Sequence, residues 1–296
     1  MVRARVLARA AAILVILRKA ASVKDNFPTT RIEKYEVSRL LCGTNTFYGD
    51  SHFSHAKDVW LRRYFTQERI VEVMCRFAEH GVNGVVSIPR PDLKAAIDEV
   101  ERRTGVHMLT FATPGGEDED DLMDGVRLSR DLGCEFCLPH TGYTDQRIVA
   151  AERCLVGFDR ALPLIRQCGM VPGLSTHRPE AITVGDAGNY DLATYIQPYN
   201  PIGFLCSIET DWLSHIIRQT RKPVIIIKPL GAGRVMPPTG LRFVYSTIKP
   251  IDTVCIGTMS PEEVDEDVRI ALEYMTGQPA SVQLQWTRSK KALEGA

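Results

Sequence analysis

Between Val37 and Met275 the chain alternates eight times between a short apolar run and a longer amphipathic stretch. The short runs are Val37–Gly43, Val82–Ile88, Val106–Ala112, Cys134–Leu138, Met170–Leu174, Leu192–Gln197, Val224–Ile227 and Ile251–Ile256. Strands buried on both faces read as continuous apolar runs of this length. The intervening stretches read as helices over Thr66–His80, Asp92–Arg103, from the acidic start at Glu117–Asp121, Gln146–Cys168, Arg178–Val184, Glu209–Arg218, Gly240–Thr247 and Pro261–Met275. Thr66 and Ser260 stand where N-caps belong, and Gly81 where a helix stops. An irregularity is expected near Gly157 or Pro163. Eight such units in about 240 residues predict an α/β chain closed as a (β/α)8 TIM barrel, with a doubly wound open sheet as the alternative.

That pattern divides the chain into a basic N-terminal extension (1–30), one barrel (31–277) and a C-terminal tail (278–296). The first 24 residues carry Arg3, Arg5, Arg9, Arg18, Lys19 and Lys24 and no acid, leaving the remainder net −6. The apolar run Ala10–Leu17 is too short to span a bilayer. Arg18-Lys19 occupy the place of a signal-cleavage site, which favours a dispensable extension over a secretory leader, with an amphipathic targeting or surface helix as the alternative. Lys+Arg and Asp+Glu both number 36, so charge gives no support for a nucleic-acid partner. Eight scattered cysteines in a chain of 296 residues suit reduced thiols in a cytoplasmic protein. Cys134 and Cys137, three apart on an expected strand, point to opposite faces and cannot easily grip one zinc ion.

In a barrel of this kind ligands meet the loops that follow the strands. The first such loop, Thr44–Phe65, holds Tyr48 and the cluster Asp50, His52 and His55; His140 follows strand four and His177 strand five. These histidines could converge on a divalent metal, or simply meet solvent and cap helices. The seventh strand runs into Lys228-Pro229-Leu230-Gly231-Ala232-Gly233-Arg234. Two glycines two apart let a backbone approach a phosphate, although a plain tight turn would use the same residues. Lys228 itself, at a strand end among apolar walls, could hold an anion or act as a Schiff-base amine.

The loop Pro229–Arg234, the phrase Ile256-Gly257-Thr258-Met259-Ser260-Pro261-Glu262-Glu263-Val264, and Val37–Leu40, Gly173-Leu174-Ser175 and Gln197-Pro198-Tyr199-Asn200-Pro201 together resemble the aldo-keto reductases. The resemblance runs in order over nearly the whole barrel. It implies NAD or NADP lying across the barrel mouth, held by Ser175, Gln197, Pro229, Leu230, Gly231, Gly233, Arg234, Gly257, Thr258, Ser260, Glu263 and Asp267. It also implies hydride transfer to an aldehyde or ketone, with a small-molecule substrate and no membrane span. The family's aspartate and lysine positions hold Val86-Ser87-Ile88 and Phe111-Ala112-Thr113, and the tyrosine expected after strand two is absent. Only His140 matches the fourth catalytic member. The expected catalytic residues are therefore His140, Tyr48 and Lys228, with no resident metal. Lys228 stands in place of the aromatic that stacks on nicotinamide, Thr176 in place of an amide-binding asparagine, and acids crowd the last helix start. A lyase or hydrolase, using a metal or a Schiff base, and a non-catalytic binding barrel are the alternatives.

Overall fold

The computed structural model describes residues 27–280 and residue 290. The expected extension, apart from its last few residues, and most of the expected tail lie outside them. A hairpin of β1 (Thr29–Ile32) and β2 (Tyr35–Ser38) comes first. The barrel begins with β3 (Leu40–Gly43), β4 (Gly84–Ser87), β5 (Leu109–Ala112) and β6 (Phe136–Cys137). A short pair outside the ring follows, β7 (Ile148–Val149) with β8 (Cys154–Leu155). The barrel resumes with β9 (Val171–Ser175), β10 (Thr194–Pro198), β11 (Val224–Ile227) and β12 (Thr253–Ile256). Its eight strands pair in parallel, in sequence order, and β12 closes on β3. The eightfold alternation thus becomes a closed ring with no free sheet edge.

Side chains alternate across each strand. Leu41, Phe111, Phe136, Val171, Ile196, Ile225 and Cys255 turn inward and form one core cluster, with the Phe111 and Phe136 rings stacked at 4.1 Å. Their neighbours Leu40, Cys42, Val85, Ala112, Leu174, Tyr195, Ile226 and Val254 turn outward against the helices. The first hairpin inserts Ile32 and Val37 into the inner cluster. It lies at the N-terminal end of the strands, where Thr30 donates to the Ile251 carbonyl at 2.8 Å and Ser38 bonds Asn83. The barrel floor is therefore plugged, and the C-terminal mouth is left for ligands.

The helices around this core are α1 (His55–Tyr64), α2 (Gln67–Glu79), α3 (Pro91–Thr104), α4 (Glu119–Asp131), a single turn α5 (Thr141–Thr144), α6 (Ala161–Gln167), α7 (Glu180–Ala187), α8 (Thr210–Gln219), α9 (Pro237–Thr247) and α10 (Pro261–Thr276). Thr66 accepts from the Arg69 amide and Ser260 from the Glu263 amide, as their cap positions predict.

Three expectations are corrected. Val37–Gly43 is not one strand, because the chain breaks at Arg39 between the floor hairpin and the barrel. The stretch Thr44–Phe65 is not all loop; α1 lies within it, capped by Ser54, whose side chain accepts from the Lys57 amide. Its only buried side chain is Leu61, so no apolar stripe marked it. Gln146–Cys168 is not one helix, because the β7–β8 pair precedes the seven-residue α6. Arg153 and Gly157 both adopt positive φ there, 50° and 71°, which a helix cannot include.

Candidate functional site at the barrel mouth

The inward positions at the C-terminal ends of the strands are set by alternation. Gly43 follows inward Leu41, Gly257 follows inward Cys255, and Ser175 follows inward Val171 and Gly173. Lys228 continues β11 just past Ile227 and adopts φ 58°, a left-handed conformation uncommon for a lysine. Its Nζ lies 3.4 Å from His177 Nε2. Among the described residues the side chain forms no salt bridge with a carboxylate. Burial lowers the amine to about 8, and only the Cys255 and Cys206 thiols pull the other way. A largely buried lysine without an acid is unusual, because desolvation of the ammonium goes uncompensated.

His177 is lowered further, to about 4, by burial first and the Lys228 charge second. It is therefore a neutral imidazole that accepts from the Lys228 ammonium. His140 is lowered for the same two reasons. Its Nδ1 accepts from the Gly142 amide at 3.2 Å, which leaves the ring hydrogen on Nε2. Asp145, placed after α5, fastens these two loops together. Its carboxylate accepts from Thr141 Oγ1 at 2.6 Å, from Thr176 Oγ1 at 2.5 Å and from the His177 amide at 3.1 Å. Sequence reasoning missed this bracing, because the donors come from two separate loops. An open cleft of about 610 Å³ adjoins His140, lined by Gly115, Gly116, Glu117, Asp121, Tyr143 and Gln146.

Tyr48 is placed apart from that group. The Arg90 guanidinium lies 3.9 Å from its ring centroid, and its buried hydroxyl makes no hydrogen bond of good geometry. Burial raises it to about 12. Arg90 is itself held by Asp92 through two bonds of 2.9 and 2.8 Å. The structure thus brings His140 and Lys228 together, with His177, and sets Tyr48 on the β3–β4 side.

The expected cofactor residues fall into three sets. Ser175 faces inward, whereas Gln197 follows outward Tyr195 on β10; its buried Oε1 has no partner. Thr258 Oγ1, after β12, is also buried and unpartnered. In the loop after β11, the amides of Gly231, Gly233, Arg234 and Val235 bond carbonyls of the same loop, and those of Leu230 and Ala232 do not. Pro229 begins this loop, and Arg234 clamps it. One guanidinium nitrogen donates to the His52 and Gly231 carbonyls at 3.1 Å, and the group lies against Phe53 and Phe204. Gly257 passes close to Thr46, which bonds the Thr258 carbonyl at 3.0 Å. At α10, Ser260 Oγ accepts from the Glu263 amide, and the Glu263 carboxylate accepts from the Met259 amide at 2.8 Å. Asp267 is buried, and burial beside Glu263 and Glu266 raises its carboxyl well above the usual range.

Among the described residues no group of three or more His, Cys, Asp or Glu is placed to hold a metal ion. His52 bonds the Asp50 carbonyl and His55 opens α1. All eight cysteines are free. No described helix is long and apolar enough to cross a membrane.

No protein-family model and no curated protein matches the chain. Solved structures do. A candidate aldo-keto reductase from Pseudomonas aeruginosa superposes with a TM-score of 0.63 at 15% identity, covering 86% of this chain and 98% of that one. A glycerol dehydrogenase from Gluconobacter oxydans gives 0.57 at 13% identity, covering 88% and 99%. The ribulose-1,5-bisphosphate carboxylase/oxygenase of Pyrococcus horikoshii gives 0.51 at 9%, covering 72% and 55%. The class is a closed (β/α)8 barrel with its ligand end at the strand C-termini. Within it, the fold of the chain is similar to that of the aldo-keto reductases.

Proposed function

We propose that this barrel is an oxidoreductase that reduces an aldehyde or ketone with a nicotinamide nucleotide, through an altered centre built on Lys228. The observation that carries the reading is the acid-free, largely buried Lys228 amine beside neutral His177 at the mouth of an aldo-keto-reductase-like barrel. With a value near 8 the amine is mostly an ammonium at neutral pH. It can then bond a carbonyl oxygen and give it a proton as the oxygen becomes an alkoxide. His140 and His177, both neutral, polarise or orient without competing for that proton.

Several groups at the mouth support a bound nucleotide. Thr258 Oγ1, past the end of β12, is a buried group with no partner, and such groups are costly unless a ligand meets them. Ser175 faces the mouth from the strand beside β10. The Leu230 and Ala232 amides are left for a phosphate by a loop whose other amides turn inward. The nucleotide, when bound, supplies a hydride. Ser260 and Glu263 would act indirectly, by holding the start of α10, where Glu262, Glu263 and Glu266 disfavour a 2′-phosphate. NADH is therefore the preferred cofactor over NADPH, and the eight free cysteines suit a cytoplasmic compartment.

The test is titration of NADH fluorescence followed by turnover on a panel of aldehydes. Binding of NADH tighter than NADPH is expected, and Lys228→Met should cut kcat at least 100-fold while leaving nucleotide affinity within about threefold. Absence of binding at millimolar NADH overturns the reading.

A further inference from the structure

We propose a second activity at the same mouth: the Lys228 amine captures carbonyl compounds as an imine, with His177 as the base that moves the adjacent proton. The inference shares with the preceding section only the premise that carbonyl compounds enter the mouth.

The geometry separates Lys228 from the lysines that merely grip anions or pair with acids. Arg90 is tied to Asp92 and Arg234 to backbone carbonyls, so no free guanidinium is shown beside Lys228 to complete an anion cradle. Asp145, the acid of this corner, is already met by two hydroxyls and an amide. What surrounds Nζ is a neutral imidazole at 3.4 Å and the thiols of Cys206 and Cys255. Removal from water with no counter-charge favours the free amine, the nucleophilic form. The left-handed backbone at Lys228 points to a side chain held by its surroundings rather than by local preference. Gly43 and Gly257, on the two strands next beyond β11, present no side chain at the inward position.

The chemistry balances without a co-reactant. The amine adds to the carbonyl carbon, the carbinolamine loses its oxygen with two protons as water, and a carbon–nitrogen double bond remains. A proton from solvent converts the imine nitrogen to an iminium; His177 Nε2 then takes a proton from the carbon next to it, giving a neutral enamine and an imidazolium, and returns a proton to that carbon. Hydrolysis releases the carbonyl compound with its α-hydrogen exchanged.

The full chain, without nucleotide, is incubated with glyceraldehyde or pyruvate and cyanoborohydride, digested, and the lysine adducts are located by mass spectrometry. Labelling of Lys228 at least tenfold above an exposed lysine such as Lys34 is expected, rising as pH passes through about 8. Lys228→Arg, which keeps the charge, and Lys228→Met should both lose it while retaining their melting transitions. His177→Asn should leave trapping intact and slow α-proton exchange in deuterium oxide at least tenfold. Labelling of Lys228 no greater than that of exposed lysines overturns the proposal, including the case in which Lys228 only binds anions. The two readings fail separately. NADH-linked reduction without trapping removes this one, and trapping without NADH binding removes the reductase.

Discussion

His177 shows how one residue couples this site to stability. Its folded-state value near 4 lies below the ordinary 6.5. As pH falls, the unfolded chain takes up the proton first, so stability present above about pH 6.5 is lost progressively down to about pH 4. Each tenfold drop in proton affinity corresponds to about 1.4 kcal/mol. Partial exposure of the ring reduces the whole effect to about 2 kcal/mol. Denaturant unfolding of wild type and His177→Asn at pH 7 and pH 4.5 checks this; the variant should show a smaller loss on acidification. An equal loss in both would place the acid sensitivity elsewhere. His177 was visible in the sequence as a strand-end histidine, and Lys228 as a strand-end lysine. Their contact was not visible, because 51 residues separate them and only closure of the ring brings β9 and β11 around one mouth. The isolation of Tyr48 was equally hidden, since its neighbour Arg90 belongs to the next β/α unit.

At the scale of elements, local chemistry was legible wherever one residue type decides a conformation. Ser260 reads as an N-cap from its place just ahead of Pro261, and in the fold it caps α10 together with Glu263. Ser260→Ala should cost about 1 kcal/mol of stability and, because α10 begins beside the proposed nucleotide site, should also weaken NADH binding. Fluorescence titration beside a melting curve separates the two effects; lost stability with unchanged affinity would detach α10 from the cofactor. What failed at this scale was pattern without chemistry. The helix α1 has one buried residue, so periodicity could not announce it. The interval Gln146–Cys168 has enough apolar residues for a helix, but its turn around Arg153 is fixed by tertiary contacts. There Tyr143 donates to the Gly157 carbonyl, and the Leu155 amide donates to Tyr190.

For the whole molecule, the closed barrel separates an apolar floor from a mouth where the candidate site residues gather. Ile32 and Val37 of the hairpin pack on Leu41, Phe111 and Phe136 inside the ring, while Lys228 and His177 stand past the opposite ends of the strands. Four residues of strand, as in β3, put about 13 Å between these layers. Ile32 is 1% exposed, and Ile32→Ala leaves a cavity under rings that cannot readily collapse into it. The expected cost is about 2 to 4 kcal/mol. That lowers the melting temperature by roughly 5 to 15 °C in a domain of this size. Sites this far apart with no shared partner usually act additively. Ile32→Ala should therefore leave the carbonyl KM, NADH affinity and Lys228 labelling unchanged at temperatures where it remains folded. If KM moves in step with the melting temperature, the floor and the mouth form one cooperative unit, and the inner layer of the barrel transmits strain to the site.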